Sequence, residues 1–343
     1  MTLLVTGAAG FVMSVFARHW LETHPQERVV AFDRAPLDAA ARRYFAPVAS
    51  RLDLIEADIA RPVTWSGALD RFGITGIVHG ATVTPISRGS SAEAKREPEA
   101  ERPVEILDVN LMGTVHLLDW ARRQPGVRRF VYVSSGGVYR DHGPDRPDTP
   151  LPEDGYVGPR KLYGISKWAA EMVAERYAEL FGLAVLSVRL SSVYGTMDRA
   201  TASRTFRHVP NRIAQWAVER RDPLRCHGID AVGDYIHAED VAAALAALLD
   251  LPRPRFGTYN VALGETATMG DMLRWAAEKA PGFRSEEASA EVADLVQDAA
   301  LRDGMWGAYD ISRIIAETGW RPRPMREAFQ AYMDWIAAQD REP

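Results

Sequence analysis

Leu3-Leu4-Val5-Thr6-Gly7-Ala8-Ala9-Gly10-Phe11-Val12-Met13 is a short apolar run that breaks into a glycine-containing turn and continues with the spacing of a helix. It reads as a first strand, a phosphate turn and a first helix. Gly7 and Gly10 permit backbone angles and close approaches that a side chain would forbid, and the next helix offers unpaired N–H groups to an anion. Such a turn would hold a dinucleotide pyrophosphate. An ordinary strand-to-helix turn also uses glycine, so the reading leans on an acidic residue further along the chain. Asp33 closes Val29-Val30-Ala31-Phe32, a run short and β-branched enough for a second strand, about twenty residues past the turn. A carboxylate there would hydrogen-bond the adenosine ribose hydroxyls and repel a 2′-phosphate, which favours NAD. Arg34, just past the strand, is also how a site accommodates NADP, so that cofactor stays open. The plain alternative for Asp33 is a solvated strand end.

With 343 residues, 47% of them hydrophobic, and a net charge of -5, the chain has the composition of a globular enzyme. The acidic excess provides no electrostatic footprint for nucleic acid, so a small-molecule partner is expected. Cys226 is the sole cysteine, which excludes an intrachain disulfide and a cysteine zinc cluster. No metal site is expected. The longest apolar helical stretch, Val241 to Leu249, is too short to span a bilayer. No basic leader precedes the first strand, and we expect a cytoplasmic protein without a membrane partner.

Further on, Leu52 to Ile59 reads as a third strand ending at Asp58. Asp58 either contacts the adenine or caps the following helix. Gly76-Ile77-Val78-His79-Gly80-Ala81 is a fourth strand ending in small residues that let a ligand approach, with His79 a packed strand residue. Between Thr82 and Pro103 the chain is polar, either a lid beside the site or a solvated segment. A helix from Asn110 carries an apolar stripe through Leu111, Val115, Leu118 and Ala121. Arg129 to Val133 is a fifth strand that delivers Ser134 and Ser135. Strands alternating with helices at this rhythm indicate an α/β fold with a Rossmann-type, doubly wound parallel sheet. Hydroxyls at the carboxyl end of such a strand sit where these sheets bind ligands.

The next helix is expected from near Pro159 to Phe181, with Gly182 as its stop. Tyr163 and Lys167, four apart, share one of its faces. Bringing a phenol from near 10 toward neutrality takes about 3–4 kcal/mol, which a nearby cation helps provide. Tyr163 then becomes a usable proton acceptor or donor.

Taken with Thr6 to Phe11, His79-Gly80-Ala81, Asn110 with Gly113-Thr114, Arg189-Leu190, Val193-Tyr194-Gly195, Asp234-Tyr235-Ile236-His237 and Tyr259-Asn260-Val261, this ordered set resembles the extended short-chain dehydrogenase/reductases, the group of the NAD-dependent epimerases and dehydratases. The resemblance implies Tyr163 as acid/base, Lys167 as the group that lowers its pKa and binds the nicotinamide ribose, Ser135 as hydrogen-bond partner of the reacting oxygen, and Asn110 behind them. It implies cofactor contacts from Gly7, Ala9, Gly10, Phe11, Val12, Asp33, Asp58, Ile59, Gly80, Ala81, Tyr163 and Lys167. It also implies a homodimer built from the helices after Asn110 and around Tyr163. The expected division is an NAD-binding unit over 1–190, to which 233–250 returns, and a mostly substrate-binding lobe over 191–343.

Departures from the family pattern narrow the chemistry. Met13 stands where a third glycine is usual, so local packing must adjust. The dehydratases carry an Asp-Glu pair after the catalytic hydroxyl residue; here those places are Gly136 and Gly137. Nucleotide-sugar enzymes have an arginine before Asp-Tyr and an asparagine before Val-Tyr-Gly, and this chain has Gly233 and Ser192. Losing a charge-assisted phosphate contact costs about 1.5–3 kcal/mol. Ser135, Ser192, Arg199 and Arg207 are candidate substrate contacts, the last two within a set that adds Arg204, His208 and Arg212 and reads either as an anion site or as a solvated face. Arg284 to Arg302 is expected as a surface helix or loop, and Met325, Phe329, Tyr332, Trp335 and Ile336 as the stripe of a closing helix. The first expectation for function is NAD-dependent hydride transfer at a hydroxyl or carbonyl of a small polyol, sugar or sugar acid. A nucleotide-sugar epimerase of the UDP-sugar 4-epimerase type is the alternative, and a non-catalytic NAD-binding protein the third.

Overall fold

The computed structural model describes residues 1–84, 99, 101–139, 149–155, 157–200, 208–219, 223–297 and 307–339. Arg204, Arg207, Arg302 and most of the polar segment between Thr82 and Pro103 lie outside them. In chain order the strands are β1 (Thr2–Thr6), β2 (Arg28–Asp33), β3 (Leu52–Glu56), β4 (Gly76–His79), β5 (Arg129–Ser135), β6 (Val185–Leu190), β7 (Ser192–Tyr194), β8 (Leu224–His227), β9 (Val232–Gly233), β10 (Tyr235–His237), β11 (Thr258–Val261), β12 (Ala267–Thr268), β13 (Ser285–Glu287) and β14 (Leu295–Val296). The helices are α1 (Phe11–Thr23), α2 (Ala39–Phe45), α3 (Ser66–Leu69), α4 (Pro103–Leu107), α5 (Gly113–Ala121), α6 (Leu162–Phe181), α7 (Val209–Glu219), α8 (Ala238–Asp250), α9 (Met269–Lys279), α10 (Ser312–Thr318) and α11 (Met325–Gln339).

Seven strands form one sheet in the order β11-β6-β5-β4-β1-β2-β3, and every neighbouring pair is parallel. Parallel neighbours need crossovers, and helices on both faces supply them. One face packs on α1 and α8, where Phe16, Trp20, Leu21, Val241 and Leu245 are fully buried. The other face packs on α5 and α6 through Leu117, Leu118, Ala170 and Ala174. Full burial of each large side chain stabilises by roughly 1.5–3 kcal/mol. Strand order reverses between β1 and β4, and a crevice opens there beyond the strand ends, at the topological switch point. A separate cluster joins α7, α9 and α11 around Cys226, Met272, Phe329 and Tyr332. Thr258–Val261 returns to the large sheet as its edge strand, a return that the expected boundary at residue 250 leaves out.

Local differences from the sequence reading have physical causes. β3 ends at Glu56, two residues short of Asp58, whose carboxylate accepts from Ala60 N at 3.0 Å and turns the chain. α6 starts at Leu162 because Lys161 is extended, and the Leu162 N–H is taken by Glu99 Oε2 at 2.7 Å. Its end is as read: Gly182 adopts φ 70°. The helix carrying Asn110 starts earlier, at Pro103, and runs to Ala121 through a π-helical turn over Asp108–Met112. Within 284–302 the described residues form β13 and β14, both parallel to β8, rather than a helix. Asp294 secures this arrangement, accepting from Arg225 N at 3.1 Å and pairing with its guanidinium at 2.9 Å. Among the described residues, no helix is long and apolar enough to cross a membrane.

Candidate active site

The crevice holds a cleft of about 690 Å³. Its cofactor-sized half begins at the β1 turn. Gly7 has φ +76°, and a Cβ there would lie 2.9 Å from Ala81 N, so only glycine allows β1 and the β4 end to approach this closely. Gly7 N donates to Phe32 O at 2.8 Å, and Gly10 N donates to Gly7 O at 3.0 Å. α1 then begins with no side-chain cap, leaving first-turn N–H groups for an anion. Asp33 ties the turn to β2: Oδ2 accepts from Ala9 N and Oδ1 from Ala35 N, both at 3.0 Å. Burial pushes its carboxyl upward against those stabilising N–H groups. Asp33, Asp58, Ile59, Gly80, Ala81, Phe11 and Val12 all line the cleft. Arg34 lines it too, with Nη1 engaged by Glu105 Oε1 at 3.1 Å.

Met13 makes its adjustment at Gly80. A Cβ on Gly80 would overlap Met13 Cγ and lie 2.5 Å from Sδ. The third glycine is thus exchanged for a methionine whose side chain fills the space over a glycine on the facing strand end.

Below the turn runs a buried hydrogen-bond chain. Ala81 N donates to Thr6 Oγ1 at 3.1 Å, and Thr6 Oγ1 meets His79 Nδ1 at 2.6 Å. His79 Nε2 meets Thr114 Oγ1 at 2.9 Å, and Thr114 Oγ1 donates to Asn110 O at 2.7 Å. Since both threonine hydroxyl protons point along the chain, His79 carries its proton on Nε2. Burial, with Lys167 nearby, lowers its pKa to about 3, so it stays neutral. Asn110 sits in the π-helical turn, a local widening frequent at functional sites. Its Oδ1 accepts from Val83 N at 2.7 Å, and its Nδ2 donates to Ser166 Oγ at 3.2 Å. Ser166 Oγ donates in turn to Tyr163 O at 2.8 Å, which couples Asn110 to the helix turn bearing the phenol.

Ser135 ends β5, and Tyr163 and Lys167 come from the first turns of α6. The two elements meet because Gly164 has no side chain: a Cβ there would overlap Gly137 O. A Cβ on Gly137 would lie 3.4 Å from Tyr163 Cε1 and 3.5 Å from Ser135 Oγ, so the phenol ring and the serine hydroxyl converge on one spot. Lys167 is 2% exposed; Nζ donates to Val133 O at 2.8 Å and stands 6.0 Å from the Tyr163 ring centre. Burial lowers its pKa to about 7, opposed by Glu171. α6 is locked to β6 by the buried Arg189–Glu171 pair at 2.7 Å, with Arg189 Nη1 donating to Glu153 O at 2.8 Å.

On the substrate side Ser192 and His208 line the cleft, with Ser191 and Lys161. Arg199 does not: its Nε pairs with Asp38 Oδ2 at 2.9 Å and its Nη2 donates to Ala9 O, both outside the cleft. Arg212 also turns away, donating to Asp294 O. Gly233 is buried in the β9–β12 ladder. Cys226 is fully buried, and its thiol is pushed up to about 12, which makes it inert. Lys161, Ser191 and Tyr309 are residues that sequence reasoning misses; the Tyr309 ring lines the cleft over Gly136, 146 residues beyond Tyr163 in the chain, with no motif around it to announce it.

A family profile for the NAD dependent epimerase/dehydratase family matches residues 3–262. The UDP-glucose 4-epimerase of Corynebacterium glutamicum is 31% identical over 259 residues, covering 73% of this chain and 71% of that protein. The dTDP-glucose 4,6-dehydratase of Mycobacterium tuberculosis is 26% identical over 338 residues, covering 98% and 93%. The crystal structure of Thermus thermophilus UDP-glucose 4-epimerase in complex with NAD superposes with a TM-score of 0.76 at 25% identity, covering 97% of this chain and 98% of that one. Match and crevice together assign the chain to the NAD dependent epimerase/dehydratase family, as an enzyme with NAD as its cofactor.

Proposed function

We propose that the enzyme oxidises, reversibly, a secondary hydroxyl of a small polyol, sugar or sugar acid. One observation carries this reading: among the described residues, the only arginine lining the cleft is Arg34, beside Asp33 and held by Glu105. The far end presents the hydroxyls of Ser135, Ser191, Ser192 and Tyr309, with Lys161 and His208 beside them and no arginine among the described residues. A diphosphate favours charge-assisted contacts, whereas a polyhydroxylated substrate is matched by neutral donors and acceptors.

In this reading, Ser135 Oγ hydrogen-bonds the reacting oxygen and Tyr163 takes its proton. Lys167, close to the phenol, favours the phenolate by its charge. Gly7, Gly10 and the start of α1 hold the NAD pyrophosphate, Asp33 the adenosine ribose, and Lys167 the nicotinamide ribose. NAD, when bound, supplies the hydride acceptor. Residues 1–190 with 233–250 and the edge strand Thr258–Val261 form the cofactor unit, and the rest of 191–343 mostly the substrate side. Tyr163→Phe tests the assignment: turnover should fall at least about a hundredfold while NAD affinity, read by protein fluorescence, is kept. Full activity in that variant overturns it.

The similarity to UDP-glucose 4-epimerases supports a second reading, in which the same residues return the hydride to the opposite face of a nucleotide sugar. Saturable UDP binding would favour it. The assembly we propose is a homodimer. Val104, Leu107, Met112, Ile165, Met172, Leu180 and Phe181 are exposed together on α4, the π-helical turn and α6. Light scattering should read twice the chain mass, and Met172→Glu should halve it; a monomeric wild type refutes the assignment.

A further inference from the structure

Tyr309 stands where a side chain on Gly136 would stand. A Cβ built on Gly136 would overlap the Tyr309 hydroxyl and lie 2.7 Å from Cζ and 2.9 Å from Cε1. Only glycine leaves this room. The phenol is fixed from behind by its own backbone: Tyr309 N donates to Asp234 Oδ2 at 3.2 Å. Leu151 N donates to Ala308 O and Asp310 N to Leu151 O, both at 2.9 Å, while Asn260 Nδ2 donates to Asp310 O at 3.0 Å. Its ring meets Tyr139 edge-on, with centres 5.6 Å apart. Tyr309 is 4% exposed, yet its hydroxyl, facing the cleft beside Ser135 and Tyr163, makes no hydrogen bond to a described residue. A rigid donor that opens onto the chemical end of a cleft without such a partner is placed to meet a ligand oxygen.

We propose that Tyr309 determines substrate specificity: its hydroxyl, entering through the gap at Gly136, donates to a hydroxyl or carboxylate oxygen carried next to the reacting carbon, and its ring limits the substituent there. The proposal rests on the reading of Ser135 and Tyr163 as the groups at the reacting carbon. Burial, with Asp234 and Tyr139 close by, holds the phenol well above its ordinary range, so it donates throughout neutral pH. It also accounts for the glycine at 136: a carboxylate there, as in the dehydratases, would collide with the ring.

The test uses the full chain with NAD, and D-glucose, D-galactose, D-gluconate, D-glucuronate and UDP-glucose as probes. For whichever probe the wild type turns over fastest, Tyr309→Phe should lower kcat/KM about tenfold, the worth of one buried hydrogen bond, with NAD affinity and Tm kept. The same probe lacking the adjacent hydroxyl should show no difference between the two proteins. Independently of any substrate, Gly136→Ala should lower Tm, and Gly136→Ala with Tyr309→Ala should lower it by less than the two separate effects combined. Unchanged kcat/KM in Tyr309→Phe, or strictly additive Tm changes, overturns the proposal. Tyr163→Phe, measured alongside, separates the two readings: its inactivity together with a fully active Tyr309→Phe refutes only the role of Tyr309.

Discussion

Replacing Lys167 with methionine should change how the stability of the free enzyme depends on pH. The ammonium is held at 2% exposure with one backbone acceptor, Val133 O at 2.8 Å, and burial lowers its pKa from 10.5 to about 7. In the unfolded chain the lysine keeps its proton up to 10.5, and in the folded one only to about 7. Between those values the unfolded state binds more protons, so stability rises with pH across that window. The burial cost is fully present below it and fully relieved above it. At 1.36 kcal/mol per pH unit, the whole window amounts to roughly 4–5 kcal/mol. Between about pH 7 and pH 9 the wild type should gain about 2 kcal/mol relative to Lys167→Met, which has no such titration. Urea unfolding of both proteins at the two pH values measures this directly. Parallel profiles would refute the claim that the ammonium is desolvated at the active site.

Gly80→Ala should destabilise by about 1–3 kcal/mol because its Cβ overlaps Met13, and Met13→Ala in the same chain should recover part of the loss; thermal denaturation of the single and double variants checks both. Arg189→Met leaves Glu171 buried without its partner and should cost about 3–5 kcal/mol in denaturant unfolding. Cys226, fully buried with its thiol pushed up to about 12, should resist iodoacetamide in the folded enzyme near pH 8 and react once unfolded, as mass spectrometry would show.

The parts of the fold that are legible in the sequence are those set by local pattern. β1, its turn and α1 follow one another within a few residues, and their apolar spacing is theirs alone. Asp33 is readable because it lies one strand away, and Tyr163 with Lys167 because four residues on a helix share a face. Contacts across the fold are less legible. Charge counting puts Arg199 toward the substrate, but the direction of a guanidinium is decided by its nearest carboxylate, here Asp38 on the far side of the turn. The Met13 departure is visible, whereas its solution at Gly80 depends on two strand ends brought together by the sheet. Tyr309 marks the limit: the vacancy at Gly136 can be read, but the residue that fills it comes from the other end of the chain. The 284–297 segment reads as a helix or loop because its polarity hides two strands that pair along β8, β13 exposed throughout and β14 buried through Leu295 alone.

The most direct test of the central claim is NADH absorbance of the purified enzyme mixed with NAD and a panel of polyols, sugars, sugar acids and nucleotide sugars, with product analysis of each mixture. We predict net NADH with a small hydroxylated compound and a matching carbonyl product. Interconversion of a nucleotide sugar without net NADH would contradict that account and show the enzyme to be an epimerase that recycles its cofactor.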